Sequence, residues 1–253
     1  MWGSQSMSVD ACAALVQRGD PMRFQAVMAA PSSARAPLLV LYAWNLEVAR
    51  APWVTSEPLI AEMRLQWWRD VLTGPRRAHE VAGPLHDMIH ERGLPVDVMD
   101  RLVAARHWDI YRDAHADQAA LEAYLDDTGG ALMWLATGAA AEDENSSRAM
   151  GWATALMQYF KAVPELEARG RIPLVDGRSE GVRALAAKGL VRLDAAYAGR
   201  KGVPGAALLA GWQTRALLNL ALRDPAAVAE GRLVLPEFTT RRLLLWQAVT
   251  GRF

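Results

Sequence analysis

Residues 151–174 read GWATALMQYFKAVPELEARGRIPL, a mostly apolar segment followed by a glycine and a short alternating segment. A helix is predicted over about residues 145–161, and Gly170 is a plausible turn or helix end. The only strand-like alternation in the sequence, at residues 171–175, follows at once and is short. The stretch therefore predicts a helix followed by a loop or one very short strand.

Helical patterns of the same kind extend in both directions from this stretch. Asp20 and Pro21 form an N-cap and a first helical turn, and residues 55–58 (TSEP) begin another helix in a similar way. Gly93, Gly199 and Gly231 mark further turns or helix ends. The predicted helices cover about residues 20–30, 32–50, 58–72, 79–92, 96–113, 118–140, 145–161, 180–198, 205–222 and 236–250. We therefore predict an all-α fold.

The composition fits one globular domain over residues 1–253, since no repeat or linker divides the chain. Hydrophobic residues make up 52% and charged residues 22%, while Lys plus Arg equals Asp plus Glu at 28 each. This balance gives no sign of nucleic-acid binding. Cys12, the single cysteine, is expected to be a buried apolar side chain. Residues 1–10 lack a secretory pattern and the apolar run 36–44 is too short to span a bilayer, so we expect a cytoplasmic protein, or one peripheral to the inner membrane.

Residues 177–181 (GRSEG) match the G-x-S-x-G nucleophile elbow of α/β hydrolases. That elbow needs a strand of a parallel sheet to deliver the serine, and no such sheet is predicted. We interpret the segment as a loop before the next helix.

His86 and His90 are four residues apart on a predicted helix, with His79 nearby, a spacing found in zinc sites. The chain has no H-E-x-x-H motif, so we interpret them as surface histidines. Asp109 and Asp113 have the D-x-x-x-D spacing that aligns two carboxylates on a helix, as Mg²⁺ sites require. Local ion pairs with the nearby arginines 106 and 112 explain this pair equally well.

Two regions resemble the squalene/phytoene synthase family, whose fold is the all-α terpenoid-synthase bundle. Residues 124–130 (YLDDTGG) keep the tyrosine and the last glycine of the family's Y-C-x-x-V-A-G. Residues 151–174 align with G-x-A-x-Q-L-T-N-I-L-R-D-V-G-E-D and then with G-R-V-Y-L-P. Near the N-terminus, residues 42–46 (YAWNL) begin like the family's Y-A-F-C-R, which precedes a D-x-x-x-D. The residues that match in the 151–174 stretch are Gly151, Ala153, Leu156, Val163, Glu165, Gly170, Arg171 and Leu174.

The aspartates of both family motifs are missing. The N-terminal pair falls on Ala49 and Trp53, and no aspartate occurs between positions 20 and 70; the second pair falls on Ala162 and Leu166. In the family, these four carboxylates hold the Mg²⁺ ions that grip prenyl diphosphates. The resemblance therefore implies the family fold, but no catalytic, metal-binding or cofactor-binding residues.

Residues 56–60 (SEPLI) and 64–70 (RLQWWRD) resemble a divergent branch that keeps the fold without the aspartates, and the resemblance covers about residues 20–220. This branch includes a mitochondrial assembly factor for respiratory complex I and its bacterial relatives. The branch implies a pseudoenzyme that binds a prenyl or other lipid-like ligand, or a protein partner. The residues expected to line its cavity, by analogy of position, are Tyr42, Arg64, Trp68, Arg69, Tyr124, Gln158 and Lys161.

Two alternatives stay open. One is a prenyl-diphosphate transferase with an altered mechanism, in which Arg64, Arg69 and Lys161 contact diphosphate; Mg²⁺ is expected only in this case. The other is a peripheral membrane contact through residues 241–246 (RRLLLW), which combine basic and apolar side chains. A terminal helix docked on the core explains the same pattern.

Overall fold

The structure is a computed structural model that describes residues 2–251, with side chains from residue 9 onward. The helices are α1 (Trp2–Gly19), α2 (Pro21–Ala29), α3 (Ser32–Arg50), α4 (Pro58–Thr73), α5 (Ala82–Arg92), α6 (Val96–Ala105), α7 (Gln118–Leu125), α8 (Ala131–Ala136), α9 (Glu144–Ala168), α10 (Ser179–Gly199), α11 (Gly205–Leu208), α12 (Thr214–Arg223), α13 (Ala226–Ala229) and α14 (Glu237–Thr250). Short 3₁₀ turns lie at Ala51–Trp53, Arg106–Asp109, Ala141–Asp143 and Leu209–Gly211, and a π turn lies at Asp126–Gly130. The described residues form no strand, which confirms the predicted all-α fold and corrects the short strand considered at residues 171–175.

Helix starts follow their local chemistry. The Asp20 carboxylate accepts a hydrogen bond from the backbone N–H of Arg23 at 2.9 Å, which caps α2 as predicted. The helix expected from residue 79 begins only at Ala82, because the His79 ring nitrogen accepts hydrogen bonds from the N–H groups of Val81 and Ala82 at 3.1 and 3.2 Å. His79 therefore acts as a cap before the helix.

Four further predicted helices have different bounds in the structure. The helix expected at 96–113 ends at Ala105 and gives way to the turn Arg106–Asp109, where the Asp109 side chain is buried. The helix expected at 118–140 is interrupted by the π turn, and the one expected at 205–222 is broken at residues 209–213. Conversely, the helix expected at 145–161 continues through Pro164 to Ala168.

The long helix α9 runs through the middle of the core. It packs against α8, α10 and the π turn, and its side chains Trp152, Leu156 and Phe160 are fully buried. Across the cavity from α9, helix α3 packs against α1, α5 and α8. Cys12 is buried as expected, and burial raises the pKa of its thiol to about 12. The space between α3 and α9 is the cavity described below.

The remaining sequence motifs have simple structural roles. Ser179 is the first residue of α10, so the G-x-S-x-G match is a loop and a helix start. The rings of His86 and His90 stack at 4.1 Å on α5. Among the described residues, no group of three or more His, Cys, Asp or Glu side chains is arranged to hold a metal ion. Within the same part of the chain, no helix is both long and apolar enough to cross a membrane.

Candidate functional site

A cavity of about 690 Å³ lies between α3 and α9. The Arg106–Asp109 turn, α7, the π turn and α8 complete its wall, and Arg23 and Ala210 contribute from α2 and the Leu209–Gly211 turn. A volume of this size is typical of small-molecule sites. The cavity is therefore the candidate functional site.

The cavity changes from buried to exposed along both of its long helices. On α3, Tyr42 and Asn45 are buried and Arg50, at the end of the helix, is exposed. On α9, Thr154 is buried and Glu165 is exposed in the same way. The outer end of the cavity is therefore at the C-terminal ends of α3 and α9, and its inner part is built mostly from side chains such as those of Leu125, Leu132, Met133 and Ala155.

Helix α9 and the π turn approach unusually closely at the inner part of the cavity. A Cβ atom added at Gly151 would lie 2.3 Å from the carbonyl oxygen of Gly129, and one added at Gly129 would lie 2.2 Å from the Cβ of Ala155. The sequence can bring these backbones together only because both positions are glycine. The two glycines thus fix the wall between α9 and the π turn.

A buried polar network lies on one side of the cavity. The Tyr124 hydroxyl donates to the Asp109 carboxylate, 3.0 and 3.1 Å from its two oxygens. The guanidinium of Arg106 donates to the same carboxylate at 3.2 Å and to the Tyr124 oxygen at 2.8 Å. Burial raises the pKa of Asp109, and the charge of Arg106 opposes that rise. The predicted local ion pair between residues 106 and 109 is therefore present. The Asp109 carboxylate is occupied by hydrogen bonds to side chains of its own chain.

Trp53 anchors two arginines at the outer end of the cavity. The guanidinium carbons of Arg171 and Arg169 lie 4.6 and 4.9 Å from the centre of its ring. Arg171 also donates to the backbone carbonyls of Trp108, Asp109 and Tyr111. It thus ties the segment after α9 to the turn that carries Asp109.

The sequence model of the squalene/phytoene synthase family matches residues 16–183. The chain belongs to this family. No curated protein matches it with significance.

Three solved structures share the fold of this chain. A dehydrosqualene synthase in complex with a ligand is similar over 98% of this chain and 99% of its own, with 12% identity and a TM-score of 0.82. Squalene synthase HpnC from Alicyclobacillus acidocaldarius matches over 90% and 96%, with 18% identity and a TM-score of 0.70. YisP from Bacillus subtilis matches over 95% and 96%, with 12% identity and a TM-score of 0.68. At these identities the likeness establishes the terpenoid-synthase fold.

The four positions that the motif resemblance places at the family aspartates all line the cavity. They are Ala49 and Trp53, at the end of α3 and in the turn after it, and Ala162 and Leu166 on α9. None of these side chains offers an oxygen to Mg²⁺, which prefers carboxylate ligands.

Among the described residues, the carboxylates of the cavity wall are Asp109 and Glu165. Asp109 is bonded to Arg106 and Tyr124, and Glu165 pairs with Arg169 at 2.6 Å. Asp113, considered with Asp109 as a carboxylate pair, lies exposed beyond the end of α6 and does not line the cavity. The described residues therefore do not fit the family's Mg²⁺ cluster.

Of the residues expected to line the cavity, Tyr42, Tyr124 and Gln158 do so. Arg64, Trp68, Arg69 and Lys161 are not among its lining residues. Helix α4 packs against α6, so Arg69 pairs with Asp100 at 2.6 Å instead.

Other expected residues are also occupied elsewhere. The ring of Trp68 contacts Trp67 and His79 at 4.7 and 5.8 Å between ring centres, and Arg64 and Lys161 are exposed. The diphosphate contacts considered for Arg64, Arg69 and Lys161 therefore do not converge on the cavity.

Asn45 is buried and lines the cavity, although the sequence motifs do not single it out. One feature of the sequence does mark it: Asn45 is the first amide after a long run of apolar residues on α3. The motifs do not single out the arginines at positions 50 and 169 either, since an arginine at a helix end is ordinary in sequence.

Proposed function

We propose that this chain is a non-catalytic member of the squalene/phytoene synthase family that binds a lipid-like ligand in the cavity between α3 and α9. One observation carries the proposal. The positions aligned with the four metal-binding aspartates, Ala49, Trp53, Ala162 and Leu166, line the cavity and supply no metal ligand. Condensation of two prenyl diphosphates by the family mechanism would lack its Mg²⁺ cluster.

The cavity itself supports ligand binding. Its inner wall is largely apolar, which favours a hydrocarbon chain because burial of apolar surface is favourable by about 25 cal/mol per Å². Most of its polar side chains lie on α3 and α9 and in the buried network of the Arg106–Asp109 turn and α7. This combination is typical of sites that hold one amphiphilic molecule.

Release of inorganic pyrophosphate from farnesyl diphosphate and Mg²⁺ tests the absence of catalysis. A dehydrosqualene synthase assayed in parallel is the positive control. We expect no release above the buffer blank. Mg²⁺-dependent release by this chain would favour the prenyl-diphosphate transferase alternative and would refute the pseudoenzyme.

We further propose that the chain acts in respiratory-complex assembly, as its resemblance to the divergent branch implies. The segment that carries this resemblance includes the start of α4, where Leu59 and Met63 are 67% and 64% exposed. These side chains lie one turn apart and offer an apolar surface to a protein partner. The amount of assembled complex I in a strain lacking the gene tests the proposal. Wild-type protein should restore the complex, and a Leu59→Ser, Met63→Ser variant should not; a normal level in the deletion strain would refute it.

A specific observation also favours a peripheral membrane contact through α14. Phe238, Leu245 and Val249 lie along one side of this helix and are 77, 67 and 77% exposed, and Trp246 beside them is 57% exposed. The opposite side docks on α2 and the Leu209–Gly211 turn. The docked terminal helix and the exposed apolar side are therefore both present, and such a side can lie in a membrane interface.

Flotation with liposomes that contain anionic lipid tests this contact. Deletion of α14 would uncover its docking site, so substitution is preferable: Phe238→Ser with Val249→Ser removes only exposed side chains. Val191→Ser, at a position 68% exposed on α10, is the matched control. The double variant should lose flotation and the control should keep it; equal flotation of both would contradict the proposal.

A further inference from the structure

Two amides face the cavity and have no hydrogen-bond partner among the described residues. Asn45 is only 5% exposed, and its Oδ1 atom is buried with no donor among the described residues. Gln158 lines the cavity from α9, and no described residue bonds to its amide. Buried polar groups are normally paired, so an orphan such as Asn45 requires an explanation. A ligand that fills the cavity and bonds to Asn45 supplies one.

The position of the two amides relative to the lost aspartates is regular. Asn45 is four residues before Ala49 on α3, and Gln158 is four residues before Ala162 on α9. Four residues make about one helical turn, or roughly 6 Å along the axis. Each amide therefore lies one turn deeper than a position that carries an aspartate in the family. The neighbouring hydroxyl of Tyr42, three residues before Asn45, also has no hydrogen bond to a described residue.

The charges of the cavity wall argue against an anionic head group. Of the four arginines that line the cavity in the described part of the chain, three pair with a carboxylate: Arg23 with Asp20 at 3.4 Å, Arg106 with Asp109 at 3.2 Å and Arg169 with Glu165 at 2.6 Å. Arg50 is the fourth, and it is exposed to solvent, which screens its charge. A buried diphosphate would thus lack both a metal and a set of free cations, and its desolvation would be costly.

We propose that the cavity binds an isoprenoid-type amphiphile with an uncharged, oxygen-bearing head, which Asn45 and Gln158 recognise. An amide both donates and accepts, so this pair can bond to a hydroxyl or a carbonyl group. The apolar residues of the inner wall then enclose the chain of the ligand. This inference rests on the proposed function and specifies the class of ligand for the same site.

Isothermal titration with three probes that share one carbon skeleton tests the inference. The probes are farnesol, farnesyl diphosphate and the hydrocarbon farnesene, all in EDTA. We expect farnesol to bind about tenfold more tightly than farnesene, the effect of one or two net hydrogen bonds, and more tightly than the diphosphate. Tighter binding of the diphosphate, or equal binding of farnesol and farnesene, would overturn the inference.

Variants of the two amides test whether these side chains bind the head group of the ligand. Asn45→Leu and Gln158→Leu should each remove most of the preference for farnesol and leave the affinity for farnesene unchanged. Gln25→Leu, an exposed amide on α2 outside the cavity, is the matched control and should keep the preference. Retention of the preference in both cavity variants would refute the role of the amides.

Together with the pyrophosphate assay, the titrations distinguish failure of this inference from failure of the proposed function. Tight binding of the diphosphate without release of pyrophosphate would refute the uncharged head and leave the non-catalytic binder intact. Release of pyrophosphate in Mg²⁺ would refute the non-catalytic function itself. Failure of all three probes to bind would overturn the inference and the lipid-binding function together.

Discussion

The carbonyl oxygen of Gly129 lies so close to Gly151 that a Cβ atom at Gly151 would be 2.3 Å from it. This contact joins the π turn to α9 at the inner wall of the cavity. Because the obstacle is backbone, it cannot move aside as a flexible side chain would. The two glycines, one in each segment that resembles a family motif, therefore fix this close contact between the π turn and α9.

Substitution of Gly151 by alanine should destabilise the fold. We expect Gly151→Ala to lower the free energy of unfolding by about 1–3 kcal/mol, since it overpacks a rigid contact. Urea unfolding measures the effect. Gly177→Ala is the control, because a Cβ there has no atom within 4 Å and its φ is not positive. Equal stability of the two variants would show that the contact is loose.

Removal of the Tyr124 hydroxyl should also destabilise the protein. Tyr124→Phe leaves the buried Asp109 carboxylate with one donor fewer, and we expect a loss of about 1–3 kcal/mol in the free energy of unfolding. Tyr111→Phe is the control, because this tyrosine is 43% exposed and bonds to Glu62 at the surface. Its loss should stay within about 0.5 kcal/mol. A smaller effect at Tyr124 than at Tyr111 would contradict the network described here.

His115 should make the protein less stable as the pH falls from about 6.5 to 4. Its ring stacks on Trp108 at 4.0 Å, and burial lowers its pKa from the usual 6.5 to about 4. In this window the unfolded state therefore binds more protons than the folded state, so acidification favours unfolding. We expect a loss of roughly 2–3 kcal/mol across the window, measured by urea unfolding at several pH values.

Two variants identify the group responsible. His115→Phe keeps the stacked ring and should remove most of the pH dependence. His90→Phe, on the exposed side of α5, should keep the wild-type dependence. If His115→Phe loses stability on acidification as steeply as the wild type does, another group governs this window.

Introduction of aspartates at two cavity positions should let the protein bind Mg²⁺. Ala49→Asp with Ala162→Asp places one carboxylate on each of the two long helices of the cavity. Mg²⁺ should then raise the melting temperature of the double variant, because a ligand that binds only the folded state stabilises it. The wild type should show no such rise. As a control, Arg64→Asp with Lys161→Asp adds two exposed carboxylates outside the cavity and should also show none.

Much of the fold could be predicted from the sequence, because helix starts and helical spacing are local signals. The cap at Asp20 is such a signal, and α2 begins where it predicts. The interruptions at residues 106–109 and 126–130 could not be predicted, since they depend on partners distant in sequence. Arg171 donates to the carbonyls of Trp108 and Asp109 in the first turn from about 60 residues away. The second turn is positioned by its close contact with Gly151 on α9.

The part of the candidate site that lies within the aligned family motifs could be predicted from the sequence. Tyr42, Tyr124 and Gln158 were placed by motif, and all three line the cavity. Arg69 was expected in the cavity by the same analogy of position, but the packing of α4 on α6 directs it to Asp100 instead. Asn45 shows the limit most clearly, since its lack of a partner becomes visible only when its neighbours are assembled.

Titration of the protein with farnesyl diphosphate, with Mg²⁺ and then with EDTA, tests the central claim most directly. The claim is that the chain has the fold of the family but that its cavity does not bind diphosphate through a metal ion. We predict that the dissociation constant is the same in both conditions, or that the diphosphate binds in neither. A dissociation constant at least tenfold lower in Mg²⁺ would show a functional metal site and contradict the account.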